Sequence, residues 1–130
     1  MIQRKQTIFF AITAMTLLAG LVIPIFQDGQ NDFIGLSKLG IAIPLITAAL
    51  LAFVSILLYQ TRPKQLFFGK INLAVILLAM GAIVFYEMSD RVFSFVYGIL
   101  APPIGLLFNF LGIQGVKSDE KLIRDMDRLR

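Results

Sequence analysis

The sequence predicts an all-α membrane protein: four transmembrane helices in an antiparallel bundle, followed by a short cytoplasmic amphipathic helix. Three observations point there. First, 58% of the 130 residues are apolar and 15% are charged, and the mean hydropathy is +0.83. Soluble chains carry about 25% charged residues and roughly 45–50% apolar ones with glycine counted. Second, charges interrupt the chain so as to leave four clean windows, residues 6–27, 39–61, 71–86 and 92–116. Third, ten of the twelve basic residues fall in segments that would share one side of a membrane.

Taken in order, the windows are 22, 23, 16 and 25 residues long. About 20 apolar residues cross roughly 30 Å of hydrocarbon, so the first, second and fourth suffice alone. The third lengthens to 63–88, because Pro63 suits a first helical turn and the Lys70 stem can run along the bilayer towards the interface. Runs such as Ala48-Ala49-Leu50-Leu51-Ala52-Phe53-Val54 are apolar all round, which argues against the alternation of a β-barrel. Arg4 and Lys5 precede the first window as in a secretion signal, but a signal's apolar core runs about 7–15 residues to a small-residue cleavage site. Here it continues to Phe26 and meets Gln27-Asp28-Gly29, so the segment is expected to remain as an uncleaved first helix.

Arg4 and Lys5, then Arg62, Lys64 and Lys70, then Lys117, Lys121, Arg124, Arg128 and Arg130 lie on one side, with Lys38 and Arg91 opposite. The positive-inside rule therefore places both termini and the middle connection in the cytoplasm. The net charge of +4 reflects this topology and gives no reason to expect nucleic acid. Tyr59, Tyr86 and Tyr97 fall near helix ends, where amphipathic rings favour headgroups. The stretch Gln27-Asp28-Gly29-Gln30-Asn31-Asp32 reads as a hydrated turn, and residues 117–130 as a separate tail helix opened by Ser118, with Asp119 and Glu120 in its first turn.

Cysteine and histidine are both absent. That removes disulfides, thiol nucleophiles, imidazole bases and the usual zinc and haem ligands, so no cofactor and no enzymatic role is expected. No window holds an internal carboxylate, which counts against a proton-coupled transporter.

The opening Met1-Ile2-Gln3-Arg4-Lys5-Gln6-Thr7-Ile8-Phe9, the basic connection Tyr59-Gln60-Thr61-Arg62-Pro63-Lys64 and the closing segment from Asp119 to Arg128-Leu129-Arg130 carry a likeness. With its four-helix hydropathy, the chain resembles the bacterial family of domain of unknown function 4293 over its whole length. Lys5 stands where the family has an apolar residue. The resemblance implies a small four-helix inner-membrane protein and brings no reaction, ligand or site.

Several constellations remain. Gly98, Ala101, Gly105, Asn109 and Gly112 share one face of the fourth helix; Ala48, Ala52 and Ser55 do so on the second, and Thr13, Thr16 and Gly20 on the first. Small residues mark sides where membrane helices approach closely. Glycine precedes proline by four residues three times, Gly20 before Pro24, Gly40 before Pro44 and Gly98 before Pro102, with Pro103 following, a pattern expected to kink helices. Asn72 and Asn109 lie at similar depth and are expected to point inward and bond across helices three and four. Glu87 and Arg91 read as a solvated i, i+4 pair. In the tail, Leu122, Ile123, Met126 and Leu129 share a side that could dock on a partner or on the membrane surface.

These features favour a non-catalytic accessory or scaffold subunit of a larger membrane complex, with the lipid bilayer and other subunits, or further copies of itself, as partners. The alternative is a small transporter or channel acting as a homo-oligomer, which would need polar side chains converging at mid-membrane.

Overall fold

The computed structural model describes residues 3–28, 31–90 and 94–128. In chain order these form α1 (Gln3–Val22), β1 (Pro24–Asp28), β2 (Asn31–Ile34), a 3₁₀ turn (Gly35–Ser37), α2 (Leu39–Leu57), a second 3₁₀ turn (Leu58–Gln60), α3 (Arg62–Asp90), β3 (Ser94–Phe95), a third (Tyr97–Leu100) and α4 (Ala101–Arg128). Four helical segments are long and apolar enough to cross a membrane.

Each long helix packs on two others, α1 on α2 and α4, and α3 on α2 and α4, which closes a ring. The buried positions explain why. They are Gln6, Phe10, Thr13, Leu17 and Gly20 on α1; Ile41, Leu45, Ala48, Ala52 and Ser55 on α2; Gln65, Gly69, Asn72, Ile76, Ala79 and Ile83 on α3; and Pro102, Gly105, Asn109, Gly112, Val116 and Asp119 on α4. Every run alternates steps of three and four. That is the seam of shallow, left-handed helix packing, in soluble coiled coils and in most membrane bundles alike. Along α1 and α4 the contacts run in opposite senses: Gln6 meets Asp119, Gly112 lies under the Phe10 ring, Gly105 under Leu17, and Gly20 beside Ala101.

At one end the connections form a three-stranded sheet of order β2-β1-β3, which an all-helical reading does not anticipate. β1 pairs antiparallel with both neighbours, with Phe26 opposite Phe33 on one side and Phe95 on the other. Phe26 and Ile25 are buried and close this end over Leu17, Leu21, Ile41, Leu45 and Ile83.

The sheet corrects several boundaries. α1 stops at Val22, short of residue 27, because Pro24 cannot donate the next helical bond and its ring disfavours helix at the residue before it. Pro24 instead opens β1, beside an irregularity in the ladder. Thus Gly20 and Pro24 make no helix kink. The hydrated turn becomes a hairpin, in which Gln27, Asn31 and Asp32 remain exposed. The fourth helix begins at Ala101 and not at 92, with Pro102 and Pro103 in its first turn, where no N–H is required. Gly98 therefore lies outside any α-helix, in the 3₁₀ turn, against the Pro24 carbonyl. Arg91, and with it the expected Glu87 pair, lies outside the described residues, as does Leu129.

Pro44 is the one proline of the three that stands, with its glycine, inside a single helix, yet α2 runs unbroken past it from Leu39 to Leu57. Pro44 therefore neither ends nor divides the span. In the second turn proline withdraws the donor that would reach the Gly40 carbonyl, and the turns beyond keep theirs. Gly40, four residues before it, lies against the Tyr86 ring.

The tail is not a separate helix. α4 runs without a break through Ser118 to Arg128. Asp119, expected in the first turn of a tail helix, is buried, because the α4 seam continues one step past Val116 and places it against Gln6.

Candidate functional site: a polar interior and the helix that leaves it

Polarity is inverted across the molecule. Outside stand large apolar side chains such as Met15, Leu39, Leu78 and Phe85, each about 70% exposed. Buried within are Gln6, Thr13, Ser55, Gln65, Asn72, Asn109 and Asp119. Gln6, Ser55, Gln65 and Asp119 lie towards the end opposite the sheet, and Thr13, Asn72 and Asn109 lie nearer the middle of the bundle.

At the deepest level Asn72 Nδ2 donates to Asn109 Oδ1 at 3.1 Å, and Asn109 Nδ2 donates to the Gly69 carbonyl at 2.9 Å. Gly69 allows this approach because a Cβ there would lie 3.0 Å from Ile113 Cγ1. Thr13 Oγ1 bonds back to the Phe9 carbonyl at 2.9 Å and lies 3.4 Å from that of Gly105. Nearer the end, Gln65 Nε2 donates to the Ser55 carbonyl at 3.1 Å, while Ser55 Oγ donates to Leu51. Last, Gln6 Nε2 donates to Asp119 Oδ2, and Gly115 admits the Gln6 side chain, since a Cβ there would fall 2.9 Å from Gln6 Cγ.

The amide nitrogens of Gln6, Gln65, Asn72 and Asn109 each donate to one oxygen. Left over are acceptors: Gln65 Oε1, Asn72 Oδ1 and Asp119 Oδ1 are buried and find no partner among the described residues. Beyond the asparagines the interior turns wholly apolar, with Leu17, Leu45, Ile76 and Ile83 filling the way to the sheet. The polar column is a blind end.

The small faces expected from the sequence lie where helices meet: Gly105 and Gly112 take the α1 side chains, and Ala48, Ala52 and Ser55 are fully buried on α2. Thr16 is only partly buried and bonds its own helix at Ile12; the true α1 seam passes through Leu17. Gly40 receives the Tyr86 ring closely, its Cβ position lying 2.6 Å from the Tyr86 hydroxyl. Pro102 and Pro103 line an apolar cleft of about 140 Å³ with Met80, Ile83, Val84 and Ile99. A wider apolar trough of about 680 Å³ follows α3 past Gly81 to Tyr86. Pro44 lines neither; it is half-buried on α2.

Gln6, Gln65 and Asp119 carry no distinguishing motif in the sequence. The seam spacing alone could have found them, at seven residues before Thr13, before Asn72 and beyond Gly112.

The α4 stripe also continues outward. Ile123 and Met126 follow Asp119 by four and seven, with Leu122 alongside, and Leu122 and Met126 are largely exposed. Glu120 and Arg124 pair at 3.4 Å on the solvent side.

The two ends of the chain thus converge at Gln6 and Asp119, within the very segments that carry the family likeness. The profile of the family described as Domain of unknown function (DUF4293) matches residues 2–129. The chain belongs to that family. No curated protein and no solved structure matches it.

Proposed function

We propose that the chain spans the bacterial inner membrane four times as an antiparallel bundle, with both ends and the α2–α3 connection in the cytoplasm. There it serves as a non-catalytic accessory or scaffold subunit, docking other proteins through the cytoplasmic end of α4. Hydrocarbon is the solvent that suits an apolar exterior over a polar interior, because an amide facing lipid loses hydrogen bonds that nothing restores. The basic residues Lys5, Arg62, Lys64, Lys70, Lys117, Lys121, Arg124 and Arg128 gather at the polar end, which supports the orientation.

The observation that carries the scaffold reading is the unbroken α4. From Glu120 to Arg128 it advances about 12 Å at 1.5 Å per residue, past the end of the bundle. A helix that leaves along its own axis cannot lie flat on the membrane, so the Leu122, Ile123 and Met126 stripe favours a protein partner over the bilayer surface. The transporter or channel reading draws on the three buried acceptor oxygens. The apolar plug between the asparagines and the sheet weighs against it.

The test is gentle-detergent purification of the full chain beside a version ending at Lys121, which retains the Gln6–Asp119 contact. A stoichiometric partner retained by the full chain and lost on truncation is the expected result. A partner held equally by both, or a homo-oligomer alone, would overturn the scaffold reading.

A further inference from the structure

The connection between α2 and α3 folds into a concave pocket of about 420 Å³, lined by Tyr59, Gln60, Thr61, Arg62, Pro63 and Lys64. Its lining is one-sided in chemistry. Arg62 and Lys64 are cationic, and no carboxylate takes part. The Tyr59 hydroxyl accepts from Gln60 Nε2 at 2.9 Å, so its own hydrogen remains to be donated. The Thr61 carbonyl already receives the Gln65 N–H at 3.0 Å, which fixes the start of α3 against the pocket. First-turn N–H groups of a helix this long add positive potential. On the flanking turns, Leu57 and Phe67 are each more than 60% exposed, with Phe53 a turn further along α2. Donors and cations at headgroup level above apolar side chains match the two parts of a lipid. A free anion would need only the first.

We propose that this pocket binds the phosphate headgroup of an anionic phospholipid of the cytoplasmic leaflet, with the acyl chains lying against Leu57, Phe67 and Phe53. The leaflet rests on the orientation proposed above; the pocket chemistry does not. Arg62 supplies a planar fork for two phosphate oxygens, Lys64 a mobile point charge, and Tyr59 a neutral donor. Short basic pockets beside membrane helices on the cytoplasmic side are suited to such headgroups.

The experiment titrates the full chain in mild detergent with phosphatidylglycerol and with phosphatidylcholine, reading bound lipid by native mass spectrometry. Phosphatidylglycerol should bind more tightly. Arg62→Gln with Lys64→Gln should weaken it about 30-fold, the effect of removing two cations near an anionic lipid. Lys117→Gln with Lys121→Gln takes the same charge from the same end and should cost less than about threefold. Tyr59→Phe, which leaves the charge intact, should cost about fivefold. Equal losses in the two double variants would reduce the site to diffuse attraction and overturn it, as would equal affinity for the two lipids. Displacement of phosphatidylglycerol by millimolar inorganic phosphate would overturn the lipid as source. Separately, Ser118→Cys in this cysteine-free chain should be shielded from a membrane-impermeant maleimide in intact cells. External labelling would overturn the leaflet and the orientation together, while the detergent titration would still judge the pocket.

Discussion

Replacing Asn72 and Asn109 with leucine, singly and together, probes the deepest polar layer. The two amides are not equivalent. Asn109 makes two hydrogen bonds, accepting from Asn72 and donating to Gly69, whereas Asn72 makes one and carries an oxygen without a partner. Hydrogen bonds between membrane helices average about 0.6 kcal/mol and reach about 1.7. Asn109→Leu therefore removes about 1.2–3.4 kcal/mol and leaves the Asn72 amide unsatisfied, while the Gly69 carbonyl keeps only its helical bond. Asn72→Leu removes one bond but also an unpaired oxygen, and should cost at least about 0.6 kcal/mol less than its counterpart. The double variant should be less damaging than the sum, with a coupling of about 0.6–1.7 kcal/mol for the one shared bond. Reversible unfolding in mixed micelles, followed by far-UV circular dichroism, measures all four proteins. Equal costs for the two single variants, or strict additivity, would refute the pairing.

Gly98→Ala should destabilise by about 1–3 kcal/mol, because its Cβ would lie 2.8 Å from the Pro24 carbonyl carbon, where backbone cannot yield. Gly81→Ala is the contrasting control. A Cβ there meets nothing within 4 Å, so thermal denaturation should show a gain of up to about 1 kcal/mol from helix propensity. Gln6→Leu strips a buried carboxylate of its donor and should cost about 2–3 kcal/mol, whereas Asp119→Asn should cost less; chemical denaturation distinguishes them. Ser37→Cys should be labelled by impermeant maleimide from outside the cell, and labelling only after lysis would refute the orientation.

Legibility in the sequence followed the range of the forces involved. Four helices were readable because apolarity is a property of whole windows and tolerates error at their ends. Asn72 and Asn109 could be matched in depth by counting residues, since the α-helix has a fixed rise. The sheet was not readable, because most of β1 lies inside a continuous apolar window and its ladder is drawn from two separate connections. Pro24 was the available signal, but a glycine four residues earlier resembled a kink motif. The glycines of that motif each face a distant partner: Gly20 faces Ala101, Gly40 the Tyr86 ring, and Gly98 the Pro24 carbonyl. Spacing to a proline is local, whereas the partner that needs the missing Cβ is distant in the chain. Ser118 misled in the same way: a serine before Asp-Glu looks like a cap, yet a helix already running with a satisfied seam has no cause to stop there.

The two ends of the molecule are closed by different means, and the difference bears on function. At the sheet end the backbone does the closing: β1 pairs on both edges, Gly98 lies against the Pro24 carbonyl, and Phe26 and Ile25 fill the centre. No side-chain rotation can open such a seal. At the other end closure depends on side chains, the Gln6 amide on Asp119 and the Gln65 amide on the Ser55 carbonyl, with acceptor atoms to spare. Side-chain contacts can exchange for water or for a partner's donors without unfolding a helix. Asp119 is the last buried position of α4, and the exposed Leu122 and Met126 stripe begins three residues later. A protein engaging that stripe would press on the same turn that carries Asp119. In the proposed orientation a cytoplasmic partner thus meets the one end of the bundle whose contacts can rearrange, while the outward end stays shut.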